Sequence, residues 1–200
     1  MPKSLIQVGA SGGQELEHFI DAGVTDAILI EPLDMPFSIL QSRTAKLENY
    51  LPLKALIHSR NGVDVEFNIA SNGGMSSSFL EPETHLEMYP DVTFTEKQTM
   101  KGFRLDAILT YLFSEKKIRS RVVEMLYLDV QGAELFVLKG AGELLEDVKY
   151  IWTEVGCGDG YRGGATYSEI IHFLAAYQFQ MIFMECQLGG FGDALFVKHE

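Results

Sequence analysis

Carboxylates that close apolar runs, and one glycine cluster, are the residues of this 200-residue chain best suited to chemistry. Asp129 lies at the end of "EMLYLDV", Glu154 at the end of "YIWTE" and Glu31 at the end of "AILIE". An acid that ends a buried strand stands at the edge of the sheet where ligands bind. It can accept hydrogen bonds from hydroxyls, and it can take a proton if burial raises its pKa. The cluster Gly9-Ala10-Ser11-Gly12-Gly13 follows the first apolar run, Ser4–Val8. Glycines there let the backbone approach a ligand closely. Glu31, at the end of the next run, can accept hydrogen bonds from both hydroxyls of a ribose. Together the two features suit an adenosine-containing cofactor. Taken singly, the loop also reads as a tight turn and Glu31 as a solvated strand end.

The loop discriminates between nucleoside cofactors. The dinucleotide fingerprint G-x-G-x-x-G needs a glycine where Ser11 stands, and no P-loop lysine follows. S-adenosylmethionine carries no pyrophosphate and tolerates a looser turn, so the loop tilts away from NAD. A nicotinamide-dependent oxidoreductase and a non-catalytic module with a degenerate pocket stay open as alternatives. Asp129 is the candidate base for a hydroxyl acceptor, with Glu154 beside it if their strands are neighbours. His58 is a second candidate base, and His85, in an irregular segment, is a third that could reach the site. His18 and His172 fall on helices as surface or packing residues. Asp129, Glu154 and Asp159 are hard oxygen ligands that admit Mg²⁺. Without a dense acidic triplet, a metal-free mechanism ranks above it.

These residues need a scaffold. Short apolar runs alternate with helical stretches: strands Ser4–Val8, Asp26–Ile30 and Leu53–Ile57, with helices from about Gln14 to Ala22 and from Phe37 to Tyr50. This rhythm predicts a parallel sheet covered on both faces. It breaks at Asp64–Ala70, which alternates apolar and polar residues behind the turn signal Asn61-Gly62. A small antiparallel excursion is predicted there, with Thr93–Thr95 as partner. Leu105–Phe113 and Tyr167–Tyr177 read as helices, and Glu124–Val130 and Tyr150–Val155 as core strands. Gln180–Met184 and Ala194–Val197 read as a closing hairpin. The glycine-rich stretch from Gly156 to Thr166 contains Tyr161 and Arg162, a pair suited to a sugar face and its hydroxyls, and is predicted to form a substrate lid.

Composition narrows the classes. One domain, residues 1–200, accommodates this length. A net charge of −12 argues against a nucleic-acid partner. No signal peptide is evident and no apolar run approaches the ~20 residues of a membrane span, so a cytoplasmic location is expected. The first strand begins almost at Met1, which implies that any N-terminal extension is missing or cut away. Cys157 and Cys186 cannot build a disulfide framework; they read as a loop thiol and a small buried hydrophobe. The residues leave the oligomeric state open.

Six motifs occur in order: "IQVGASGGQE", "LIEPLDMPFSIL", "ASNGGMSSSFLEP", "LYLDVQGAELFVLKGAGELL", "YIWTEV" and "GDALFVK". In them the chain resembles the FkbM family of S-adenosylmethionine-dependent methyltransferases over nearly its whole length. The resemblance implies a doubly wound α/β fold of the class I methyltransferase type. Its seven-stranded sheet would have an antiparallel last strand, with the small β insertion after the third strand. It also implies O-methylation of a sugar, glycan or related small molecule. Gly9, Ala10, Ser11 and Gly13 would surround the methionine part of the cofactor. Gln7 stands where many class I enzymes place an acid, so one anchor for the cofactor's amino group is absent, although its amide oxygen could still accept a hydrogen bond. Glu31 would bind the ribose, Pro32 would shape the next turn, and His58 and Ser59 would meet the adenine. Asn72 and Ser76–Ser78, with Ser77 central, match the family's serine segment, which would face the transferred methyl and so the acceptor. Asp129 would serve both cofactor and catalysis.

Overall fold

The computed structural model describes residues 2–156, 160–186 and 190–199. The chain opens with β1 (Ser4–Val8), α1 (Leu16–Asp21), β2 (Asp26–Ile30), α2 (Asp34–Thr44), β3 (Tyr50–Leu53) and β4 (Leu56–Ile57). It continues through β5 (Val63–Ile69), β6 (Glu81–Pro82), α3 (His85–Met88), β7 (Glu96–Phe103) and α4 (Leu105–Ser114). Next come β8 (Met125–Leu128), α5 (Glu134–Ala141), α6 (Leu144–Asp147) and β9 (Tyr150–Gly156). It closes with β10 (Tyr161–Arg162), α7 (Tyr167–Ala175), β11 (Phe179–Cys186) and β12 (Phe191–Lys198).

Seven strands form one sheet in the order β11-β12-β9-β8-β1-β2-β3. β1, β2, β3, β8 and β9 run parallel, and β12 lies antiparallel between β9 and β11. This is the doubly wound sheet with an antiparallel end that the motifs imply. Strand order reverses at β1, whose neighbours are β2 and β8, so the crevice for a ligand opens at the C-terminal ends of these three strands.

The central strands are apolar throughout because both their faces are covered. Ile6, Leu126 and Ile151 pack against Leu109 of α4, Leu138 of α5 and Leu174 of α7. Leu5 and Leu29 face the other way, onto Leu16 and Phe19 of α1 and Leu40 of α2. α7 is fixed at its start by a capping box: the Thr166 hydroxyl accepts from the Glu169 N–H, and the Glu169 carboxylate accepts from the Thr166 N–H. Beyond α1 and α2 the same face carries a row of stacked rings, Tyr127, Trp152 and the exposed Phe183.

Several boundaries differ from those predicted. The third strand is not Leu53–Ile57. Tyr50–Leu53 forms the edge strand, where Pro52 is tolerated because its missing N–H is not needed. Leu56–Ile57 leaves the main sheet and pairs with β7. The antiparallel partner of β5 is Glu96–Phe103 rather than Thr93–Thr95. That strand, "EKQTMKGF", is largely exposed and so lacks the apolar alternation that marks a half-buried strand. α5 and α6 occupy the run "ELFVLKGAGELLED", which is apolar on most sides because α5 is largely buried. Cys157 lies outside the described residues, and Cys186 ends β11. Among the described residues, no helix is long and apolar enough to cross a membrane.

Candidate active site

A cavity of about 290 Å³ opens at the ends of β1, β2 and β8, near the lower limit of the ~300–1,000 Å³ usual for small-molecule sites. Its floor is set by Gly9. This residue has φ +84°, and a Cβ there would lie 1.7 Å from the carbonyl oxygen of Asp129. Glycine therefore allows the turn after β1 to close onto β8. The Gly9 and Ala10 N–H groups both donate to the Ile30 carbonyl, at 3.0 and 2.9 Å, which ties the loop to the end of β2.

Glu31 lines the cavity and joins its two loops. One carboxylate oxygen accepts from the Ser11 N–H at 2.9 Å, the other from the Leu33 N–H at 2.8 Å. Each oxygen keeps a lone pair for a ligand hydroxyl. Burial pushes this carboxyl up to about 7 against the pull of the two backbone donors. Pro32 and Ser11 also line the cavity. Ala10 and Gly13 do not: Ala10 is fully buried beneath the loop, and Gly13 packs against Leu16 and Leu40.

Gln7 is buried on β1 and does not line the cavity. Its Nε2 donates to the Glu15 carboxylate at 2.8 Å, and its Oε1 has no partner among the described residues. Glu15 does line the cavity. It was not singled out from sequence, although it sits directly behind the glycine cluster in "GGQE".

Asp129 follows β8 and Glu154 lies within its partner β9, one residue past the Leu128–Thr153 pair in each chain segment. The structure links their side chains through Gln131, whose Nε2 lies 2.7 Å from Asp129 Oδ1 and 3.4 Å from a Glu154 oxygen. Asp129 faces the cavity. Dense surrounding protein raises its carboxyl to about 6, with the charges of Glu15 and Asp193 adding to the rise and the Gln131 hydrogen bond opposing it. Water reaches this carboxylate through the cavity, since the residue is exposed there, and screens the shift while the cavity is hydrated. Glu154 lies behind, against Glu134 and Tyr161 and away from the cavity. Burial and the charges of Glu134 and Asp129 hold its carboxyl well above the ordinary range. Glu134 closes the turn before α5 by accepting from the Val130 and Gly132 N–H groups at 3.1 and 3.3 Å.

His58 and Ser59 are not at the cavity. His58 is buried between Phe79 and Phe136, 5.2 Å from each ring, and its Nδ1 accepts from the Arg60 N–H. Burial lowers its pKa. It is a packing residue held neutral, not a base within reach of an acceptor. The Ser59 carbonyl accepts from Arg104. The wall they were expected to form comes instead from Ala55, Leu56, Ile57 and Phe79. His85 is buried against Tyr89, Phe94 and Tyr161, also off the cavity.

The remaining expected contacts divide in the same way. Ser76 and Ser77 line the cavity, and Ser77 Oγ accepts from the Ala70 N–H. Asn72 stays behind the loop and clasps Ser76 through its hydroxyl and its N–H. Tyr161 is buried, donates to the Ser76 carbonyl at 2.7 Å and lies 3.3 Å from Gln131 Oε1. It braces two residues of the cavity rather than meeting a substrate. Arg162 is exposed and 3.7 Å from Glu83. Part of the predicted lid, including Asp159, lies outside the described residues. Among the described residues, no group of three or more His, Cys, Asp or Glu side chains is arranged to hold a metal ion.

Among the described residues, the charged side chains lining the cavity are Glu15, Glu31 and Asp129, with no Lys, Arg or His. Such a cavity favours a cationic ligand and repels a pyrophosphate.

Comparison with known proteins agrees with this geometry. The model of the methyltransferase FkbM domain matches residues 7–181. The chain belongs to the FkbM methyltransferase family. Over 181 residues it is 24% identical to the 2-O-methyltransferase NoeI of Sinorhizobium fredii, covering 87% of this chain and 72% of that protein. Its fold is similar to that of a protein in the NADB-Rossmann superfamily from Streptococcus agalactiae, with TM-score 0.53, 13% identity and 99% of this chain covered. It is also similar to Aeropyrum pernix fibrillarin, solved with natively bound S-adenosyl-L-methionine, with TM-score 0.52, 10% identity and 98% of this chain covered. The chain spans 63% and 66% of those two chains. At this identity the likeness concerns the fold alone. The family match sets the nicotinamide oxidoreductase aside.

Proposed function

We propose that this FkbM-family domain transfers a methyl group from S-adenosylmethionine to a hydroxyl of a sugar, glycan or related small molecule. The observation that carries the reading is the cavity at the switch point of the sheet, whose charged lining residues are all acidic. The donor set fits this cofactor: two free lone pairs on Glu31 suit a ribose diol, apolar Leu33, Leu56 and Phe79 suit a base, and Glu15 and Asp129 suit a cationic end. When bound, the cofactor supplies an electrophilic methyl on a sulfonium centre. The chain's residues orient the acceptor, exclude water and receive a proton.

Asp129 takes the hydroxyl proton. Oδ1 is engaged by Gln131, and Oδ2 has no protein partner among the described residues. A carboxyl raised toward 6 is a better base than an ordinary one and is still mostly ionised at pH 7. Ser76 and Ser77 supply polar groups along the acceptor side, and Tyr161 fixes Ser76 from behind. The name of the NoeI relative, a 2-O-methyltransferase, supports oxygen as the accepting atom.

The test is transfer of labelled methyl to a panel of glycans, small alcohols and RNA, with cofactor binding followed by calorimetry. Label in a carbohydrate or small-alcohol hydroxyl, with S-adenosylhomocysteine bound more tightly than NAD, is the expected result. Label in RNA alone would overturn the acceptor class, and tighter NAD binding would overturn the cofactor.

A further inference from the structure

Position 7 of this chain is an amide, yet the charge that an acid would bring has not been lost from the site. It sits at Glu15, two residues past the glycine loop, on the cavity wall. The two side chains form a matched pair, Gln7 Nε2 donating to Glu15 Oε2 at 2.8 Å. A carboxylate at position 7 would lie against Glu15, and two acids in contact do not both ionise. Glutamine removes that competition and supplies a donor. The orientation has a cost, because Gln7 Oε1 is buried with no hydrogen bond. Turning the amide over would set that oxygen against the Glu15 carboxylate, so the tether is kept and the acceptor is left unsatisfied.

Glu15 has no structural task comparable to that of Glu31 or Glu134, each of which closes a backbone turn. Its carbonyl accepts from the Phe19 N–H at the start of α1, but among the described residues its carboxylate is hydrogen-bonded to the Gln7 amide alone. It lies near enough to Asp129 for its charge to raise that carboxyl. The cavity is thus lined by both carboxylates, Glu15 and Asp129, and Asp129 is committed to Gln131 and to the acceptor proton. Resting on the S-adenosylmethionine reading above, we propose that Glu15, held in place by Gln7, is the carboxylate that receives the cofactor's cationic α-amino group. It replaces in space the anchor absent from position 7. By neutralising Glu15, that ammonium also relieves its repulsion of Asp129.

The experiment titrates S-adenosylhomocysteine and an analogue in which hydrogen replaces only the α-amino group, against wild type and Glu15→Gln. Wild type should bind the analogue at least 10-fold more weakly. Glu15→Gln should bind the parent ligand at least 10-fold more weakly than wild type does, and bind both ligands alike, because the group that tells them apart is gone. Gln7→Leu, which unties Glu15 without removing it, should fall between. If Glu15→Gln still prefers the parent ligand as wild type does, the assignment is wrong. If it weakens both ligands equally, Glu15 shapes the cavity and the assignment is again wrong. Should the amide variant fail to fold, Glu15→Ala serves for the same comparison, and equal binding of both ligands by wild type overturns the ammonium contact without any variant. A wild type that binds neither ligand refutes the cofactor reading itself, an outcome distinct from all of these.

Discussion

At the scale of single residues, the reaction turns on how Asp129 is held. Asp129→Asn keeps the size and the cavity but cannot take a proton, and should lower the methyl-transfer rate by about 10²-fold or more, the range typical of lost acid–base help. Cofactor affinity should change less. Glu154→Gln should stay active, since Glu154 lies off the cavity. A wild-type rate in Asp129→Asn, measured on a confirmed hydroxyl acceptor, would remove Asp129 as the base. Gln131 gives a finer probe, because its amide lowers the pKa of Asp129 by donating to Oδ1. Gln131→Asn withdraws that amide by one methylene while tolerating the positive φ of 55° found there. The Asp129 pKa should then rise, and the acidic limb of the pH–rate profile should move to higher pH. A limb that stays in place would mean that Gln131 does not tune the base.

At the scale of elements, the site depends on two strand ends meeting without side chains between them. Gly9→Ala forces a Cβ to within 1.7 Å of the Asp129 carbonyl in a backbone conformation that disfavours L-residues. The strain of that conformation alone is of order 1–3 kcal/mol, and the clash adds to it. Thermal unfolding of Gly9→Ala should show a loss of at least this size, or the protein should not accumulate folded. A melting temperature equal to that of wild type would show that the β1 and β8 ends are not as close as described. Tyr161 and Asn72 matter at the same scale. They grip the segment around Ser76 from outside the cavity, so the insertion and the short β6–β10 pair position residues that they do not themselves supply.

At the scale of the molecule, buried acids make stability depend on pH. Glu31 and Glu134 are each raised from 4.5 to about 7, mainly by burial. Between those values the folded chain holds protons that the unfolded chain has released. Unfolding there releases protons, so stability falls as pH rises from about 4.5 to about 7 and then levels. Repulsion within a chain of net charge −12 acts in the same direction. Urea unfolding at pH 5.5 and 7.5 should give the lower midpoint at pH 7.5. Equal midpoints would show that these carboxyls are not buried in their protonated form.

The amino-acid sequence by itself determined the central strands of the sheet and the place of its ligand edge. Apolar runs such as "LIQV", "AILI" and "MLYL" are strong local signals, since a strand buried on both faces has no other composition available. The acids that follow β2 and β8, Glu31 and Asp129, were legible because each interrupts an apolar run where its strand leaves the sheet at the ligand edge; Glu154, chosen on the same signal, lies off the cavity. Only the tertiary structure decided which nearby polar residues reach the cavity. His58 follows the apolar Ala55-Leu56-Ile57 and Ser77 lies in a polar Gly/Ser segment, yet the histidine is sealed between two phenylalanine rings and the serine lines the cavity. The polar strand β7 shows its pairing only when β5 lies beside it. Glu15 and Gln7 are eight positions apart and carry no shared motif. Their contact exists because α1 folds back over β1, and packing of that kind is set by long-range burial rather than by any local pattern.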